Sequence, residues 1–234
     1  MITAEFLKTF NFGKVLNRFC ILDPHRRFVM NLSPNACLLD YGCGNADLME
    51  RFHQIRPDLK IVGVDILDFS DEVIRKGGRF RRIQREEDIK DFGMGRFDGI
   101  TCLHVLEHID VLCYQKLMQS FDFVLKKDGK ILIETPHAKS IWIPSFSFLS
   151  SDGGPLNFYD DPTHVRPFTK PALEALVGQY FIIKKLGIFR NWVFLILSPI
   201  FIMFGGIISR RLLVIGLQNL LGWAVYCIAQ KKNV

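Results

Sequence analysis

Residues 38–52 read LLDYGCGNADLMERF. An apolar run stops at Asp40, turns through Gly42, Cys43 and Gly44, and becomes a helical pattern. Strand, glycine turn and helix together let a backbone press against a small ligand, because glycine has no side chain to hold the ligand away and tolerates positive φ. The helix starting near Asn45 points its unpaired amides into the same spot.

Working outward, residues 37–41 read as a buried strand, 47–55 as the helix after the turn, and 60–66, KIVGVDI, as a second buried strand holding Asp65 near its end. Two apolar strands joined by such a helix form a right-handed unit with parallel strands. A helix over 70–76, strands over 79–84 and 97–105, a helix over 110–125 and a strand over 130–135 continue the alternation. The pattern predicts an α/β, doubly wound sheet with its ligand beyond the carboxyl ends of the strands.

At 234 residues the chain has the size of one domain, and an apolar fraction of 49% with 23% charge excludes a disordered polymer. Its six cysteines show neither a CxxC pair nor metal spacing, and no basic segment followed by an apolar run opens the chain. A reducing, cytoplasmic setting without bound metal is the expectation. The net charge of +6 is unevenly placed: residues 181–234 carry seven basic side chains and no acidic one, which leaves −1 for residues 1–180.

Asp65 lies 25 residues after Asp40. An acid at the end of the second strand can accept both hydroxyls of a ribose. The dinucleotide fingerprint GxGxxG fails, since Asp47 stands at its third glycine position. The segment resembles instead motif I of class I S-adenosylmethionine-dependent methyltransferases, DxGCGxG, with Asp40, Gly42, Cys43 and Gly44 in place and Ala46 at the last glycine. FDGITCLHVLEHI, residues 97–109, and LKKDGKILIETPH, residues 125–137, resemble the family's fourth-strand and fifth-strand motifs.

The resemblance implies S-adenosylmethionine as methyl donor. It assigns Asp40, Gly42, Cys43, Gly44, Asp65 and Ile66 to the cofactor, Asp88 to the adenine amine, Ile89 to packing on the ring, and His104 and Glu107 to the methionine end. It also implies a mostly parallel seven-stranded sheet, with strand six over 181–189 and an antiparallel last strand over 223–230 inserted between strands five and six. Residues 1–36 are then an N-terminal helical segment, with Val15, Leu16, Phe19 and Cys20 on one face, and 37–234 the methyltransferase domain.

Methyl transfer from a sulfonium is an in-line displacement, so the protein must position the partners and exclude water. A hydroxyl acceptor also has to lose a proton, for which histidine is suited. His25 and His53 read as surface residues, and His104 and His108 as scaffolding beside the donor. His137 opens the mouth of strand five. His164, in YDDPTHVRPFT, closes a loop over 138–168 that reads as a lid on the acceptor pocket. It is either the general base or an anchor for the lid, with Asp160 or Asp161 orienting it and Thr169 capping the next helix.

Residues 191–222 form a hydrophobic insertion, beginning with an uncharged run of 19 residues. At about 1.5 Å per residue that run just matches a bilayer core of roughly 30 Å. A single crossing would strand the last strand on the far side, and too few residues remain for a return. Two short helices lying in one leaflet, with basic residues at anionic headgroups and Trp192 and Trp223 at the interface, fit better. A true span, a buried lid and a dimer interface are the alternatives.

The expected function is methylation of a hydroxyl on a lipid, isoprenoid or lipid-linked glycan by a cytoplasmic enzyme held monotopically on the membrane, with no nucleic-acid partner. A soluble small-molecule methyltransferase and a non-catalytic cofactor-binding protein stand beside it.

Overall fold

The computed structural model describes residues 24–142, 157–208 and 210–232. Seven strands, β1 (Cys37–Tyr41), β2 (Lys60–Asp65), β3 (Arg79–Arg82), β4 (Phe97–Leu103), β5 (Leu125–Pro136), β6 (Phe181–Ile188) and β7 (Ala224–Lys231), form one sheet in the order β3-β2-β1-β4-β5-β7-β6. All neighbours run parallel except β7, which is antiparallel to both β5 and β6. This is the doubly wound sheet that the sequence predicts. Strand order reverses between β1 and β4, and the crevice at that point faces the carboxyl ends of both strands.

Helices α1 (Pro24–Met30), α2 (Asp47–Ile55), α3 (Ser70–Arg75), α4 (Tyr114–Val124) and α5 (Lys170–Gly178) cover the sheet. Phe28 of α1 and Met49 and Phe52 of α2 pack on one side with Leu38 and Ile61, while Leu117 and Phe121 of α4 and Val177 of α5 pack on the other with Leu39, Ile100 and Ile133. Every residue of β1 is buried, as a central parallel strand requires. The segment over 1–23, including the face drawn through Val15 and Phe19, lies outside the described residues.

Two boundaries differ from the sequence reading for local reasons. β4 stops at Leu103 because His104 adopts φ 56°, which no strand accommodates. The helix expected from residue 110 begins as a 3₁₀ turn, Val111–Cys113, because the Asp110 side chain accepts the Leu112 amide. α4 follows.

The insertion folds as two helices, α6 (Trp192–Ile208) and α7 (Arg210–Leu221), packed together. Gly216 permits the contact: a Cβ there would lie 3.0 Å from that of Phe201. Pro199 lies within α6 and cannot donate to the Leu195 carbonyl; the Ser198 hydroxyl does so instead, at 2.6 Å. At the base of the pair the Asn191 amide donates to Asn219 Oδ1 at 2.7 Å. Among the described residues no helix is long and apolar enough to cross a membrane.

Candidate active site

The turn after β1 has the geometry of a ligand cradle. Gly42 has φ 75°, donates to the Val64 carbonyl, and a Cβ on it would sit 2.3 Å from Val105 Cγ2. Gly44 has φ 48°, and a Cβ there would meet nothing within 4 Å, so its backbone borders open space. Its amide donates to Asp65 Oδ2 at 3.0 Å, and Leu67 donates to Oδ1 at 3.0 Å. These two bonds fix the Asp65 carboxylate at the rim, where its remaining lone pairs suit a pair of ribose hydroxyls. The cradle therefore fits a nucleoside-bearing ligand.

Cys43 contributes differently from its two glycine neighbours. It is buried against Gly63, and burial pushes its thiol up to about 12, so it packs as a small apolar group. Ala46 holds φ 62°, with its methyl buried in the core shared with α2. The side chain at the missing glycine thus points away from the cradle, and the departure from the motif leaves the ligand face clear.

Asp40 lies beneath the turn, 3% exposed, with Thr101 donating to Oδ1 at 2.7 Å and Oδ2 without a hydrogen-bond partner. Burial raises its pKa to about 6, against the opposing pull of the Thr101 bond and of His25.

At the adenine end, Ile66 is 62% exposed beyond β2. Asp88 Oδ2 accepts the amides of Gln84 and Arg85 and so shapes the 3₁₀ segment Glu86–Phe92, leaving Oδ1 as the atom able to meet an amine. Ile89 corrects the sequence reading. It is fully buried in the core and offers a ring no surface, because its short 3₁₀ segment turns it inward.

Where β4 and β5 end, five side chains form a polar chain, buried except at His104. His25 Nε2 donates to Glu134 Oε2 at 2.8 Å, and His104 Nε2 lies 3.1 Å from Glu134 Oε1. The other His104 nitrogen is 3.3 Å from Glu107 Oε1, and Thr135 donates to Glu107 Oε2 at 3.0 Å. Burial alone would lift Glu134, but His25 and His104 hold it at about 2. Burial likewise opposes a charge on His104, yet Glu107 and Glu134 raise it to about 10. The strained backbone of His104 is held by this chain and by its amide bond to the Glu134 carbonyl.

His25 is thus no surface residue: α1 lays it over the end of β5. His53, on α2, is half-buried, its ring against the carbonyls of Lys76 and Leu59. Trp223, expected at a membrane interface, has its ring 5.2 Å from that of His104, tilted by 43°. A cavity of about 210 Å³ lies between them, bordered by His25, His104 and Glu134 on one side and by Gln218, Asn219 and Trp223 on the other.

His164 sits close by, its side chain 4% exposed. Its Nδ1 donates to the Phe158 carbonyl at 2.6 Å and its ring stacks on Phe158 at 4.6 Å. Asp161 Oδ2 is 3.8 Å from Nε2, so of the two aspartates it is the one facing the imidazole, while Asp160 accepts the Asn157 amide. The Val165 amide donates to the Glu107 carbonyl at 2.6 Å, which ties this end of the lid to β4. Thr169 caps α5 through the Ala172 amide. The central part of the lid, 143–156, lies outside the described residues. His137, at the mouth of β5, is buried and kept neutral by that burial and by Lys139 and Lys170.

Fold and cradle together define a Rossmann-like transferase whose donor carries a nucleoside. The family model described as "Methyltransferase domain" matches residues 14–180, and the chain belongs to that family. It is an S-adenosylmethionine-dependent methyltransferase.

Among solved structures, a SAM-dependent methyltransferase from Archaeoglobus fulgidus superimposes with TM-score 0.63 at 20% identity, covering 98% of this chain and 100% of its own. The 1,6-didemethyltoxoflavin-N1-methyltransferase of Burkholderia thailandensis, with 1,6-didemethyltoxoflavin and S-adenosylhomocysteine bound, gives 0.59 at 17% identity over 98% and 87%. The geranyl diphosphate C-methyltransferase of Streptomyces coelicolor A3(2), in complex with Mg2+, geranyl-S-thiolodiphosphate and S-adenosyl-L-homocysteine, gives 0.61 at 14% over 89% and 75%. No curated protein matches the sequence.

Proposed function

We propose that this enzyme methylates a hydroxyl on a lipid, isoprenoid or lipid-linked glycan while held in one membrane leaflet by α6 and α7. The observation that carries this reading is where the helical pair grows from the sheet. Ala224 pairs with Pro136 and Ile188 with Val225, so both feet of the insertion stand at the carboxyl edge of the sheet, the edge that holds the donor cradle. The cavity of about 210 Å³ opens at this edge, with His104 and Glu134 on its inner side and the foot of α7 on its outer side.

The outer surface of α6 supports the membrane assignment. Trp192, Ile196, Ile200, Met203 and Phe204 are all exposed, at spacings that share one helix face. The surrounding sequence supplies basic residues without a single acid from 181 onward, which suits anionic headgroups. A dimer interface on the same stripe is the competing reading.

S-adenosylmethionine, when bound, supplies an electrophilic methyl on a sulfonium. Asp65 would hold its ribose, Ile66 and Asp88 its adenine, and Gly42 and Gly44 allow the close backbone approach. Asp40, beneath the turn, is an anion on the side where the donor's positive methionine end is expected. His164 faces the acceptor side through Nε2, and acts on the hydroxyl proton either directly or through an ion that it holds.

Calorimetry with the donor tests the first part. Asp65→Ala should weaken binding by at least about tenfold, the loss of two charge-assisted hydrogen bonds, whereas His164→Ala should leave donor binding intact and cut turnover. Unchanged donor affinity in Asp65→Ala would refute the cradle assignment, and lost affinity in His164→Ala would refute the acceptor-side role.

A further inference from the structure

Glu107, His108 and His164 converge where the end of β4 meets the root of the lid: one ligand atom from each lies within 4.8 Å of the others. The hydrogen bonds around them determine which atoms those residues can present. The Phe158 carbonyl can only accept, so His164 Nδ1, 2.6 Å away, is the donor and Nε2 is the nitrogen left to meet an ion.

The same logic applies to His108. The Thr163 hydroxyl has one proton and gives it to Asp161 Oδ1 at 2.6 Å. Thr163 Oγ1 must then accept from His108 Nδ1, 2.8 Å away, which again leaves Nε2 to meet an ion.

Glu107 completes the set. It is 1% exposed, one oxygen accepts from Thr135, and the other has no hydrogen-bond partner. That oxygen lies 3.3 Å from His104 Nδ1, whose charge offsets part of the cost of burying it, and an ion held with the two imidazoles would supply a further electropositive partner. Two imidazoles locked by hydrogen bonds on their far nitrogens, one to a carbonyl and one through a hydroxyl to a carboxylate, are the outer-shell arrangement of metal-binding histidines. His108 is exposed, so positions beyond the three protein ligands open to solvent.

We infer that Glu107, His108 and His164 bind one divalent first-row transition-metal ion, with Asp161 and Thr163 as positioning residues. Two imidazoles and one carboxylate favour manganese, iron, cobalt or zinc over magnesium or calcium, which prefer all-oxygen sets. Three protein ligands with open positions form a site that can accept an oxygen of a second molecule. The absence of cysteine spacing, which makes the sequence read as metal-free, says nothing about a nitrogen and oxygen set. That the open positions serve an acceptor oxygen rests on the proposed methyl transfer; ion binding itself does not.

The test uses full-length protein stripped with chelator and titrated with Co2+, read by visible d–d absorption and by equilibrium dialysis. One ion per chain is expected, displaced by Zn2+. His108→Ala and His164→Ala should each weaken binding by about 100-fold or more, and Thr163→Val by about tenfold. Donor affinity and circular dichroism show that each variant is folded. His108 is exposed, so its variant gives a reading even if His164→Ala destabilises the lid. Stoichiometric binding lost in His108→Ala supports the site; no binding by the wild type, or equal binding by folded His108→Ala, overturns it. Ion binding without methyl transfer would leave the site standing and count against the proposed function.

Discussion

Asp40 is a single residue whose burial works against the fold, and its proposed place is beneath the donor. Its pKa of about 6 in the folded protein lies above the ordinary value of 3.8, so between those limits the folded state holds the extra proton. Stability therefore falls as pH rises from about 4 to about 6, by on the order of 3 kcal/mol for this buried group. Asp40→Asn, which cannot ionise, should show a melting temperature that gains on the wild type across that window, with the difference levelling off near neutral pH. The same change should weaken donor binding. A difference in melting temperature that does not vary with pH would show that the Asp40 charge is not the strained element.

At this scale the cradle was legible, because Gly42, Gly44 and Asp65 act through backbone constraints that a short stretch carries whole. His25 was not. It meets Glu134 across 109 residues of chain, and nothing near either residue announces the pair. Glu134 did leave a signal, as the one charge in the apolar run of β5. Ile89 misled because a 3₁₀ segment has neither strand nor helix periodicity to show which way a side chain turns.

Among the elements, α6 and α7 invite the most direct intervention. The exposed stripe on α6 is set by a helix whose inner face is taken up by Gly216, Asn219 and the rest of α7, so its remaining apolar side chains have no partner within the described residues. Replacing both Ile196 and Met203 by Glu should abolish flotation with anionic vesicles, reducing vesicle affinity by at least about tenfold, with donor binding unchanged. Flotation equal to wild type would remove the stripe from the membrane reading. A wild-type dimer that becomes monomeric in the double variant, with no vesicle binding by either, would assign the stripe to a partner subunit.

Element types were largely legible because β1, β2 and β4 are continuous apolar runs broken by turns. The boundaries shifted where a side chain or strained residue intervened, at Asp110 and His104, and also at β5, which begins at Leu125 instead of residue 130, and at β3, which ends at Arg82 instead of residue 84. The helical pair was legible from Pro199 and the short return segment. The inward turn of Trp223 was not, since its partner is His104, just past the end of the distant strand β4.

For the whole molecule, topology joins what the sequence keeps apart. The donor cradle lies near residue 42 and the insertion near residue 200, yet an antiparallel β7 returns the chain so that both stand at one edge of the sheet. The uneven charge follows the same geometry: the basic excess belongs to the part that carries α6 and α7. A membrane at that edge would present an acceptor through the cavity that His104 and Glu134 share with α7.

The central claim is transfer of a methyl group to a membrane-borne hydroxyl. It is tested most directly by incubating the protein with methyl-labelled S-adenosylmethionine and vesicles made from a total lipid extract of its source cell. Label should enter the organic phase as a methyl ether, in amounts that fall to background with Asp65→Ala and with the Ile196 and Met203 double variant. Label confined to water-soluble acceptors, and unaffected by the double variant, would contradict it.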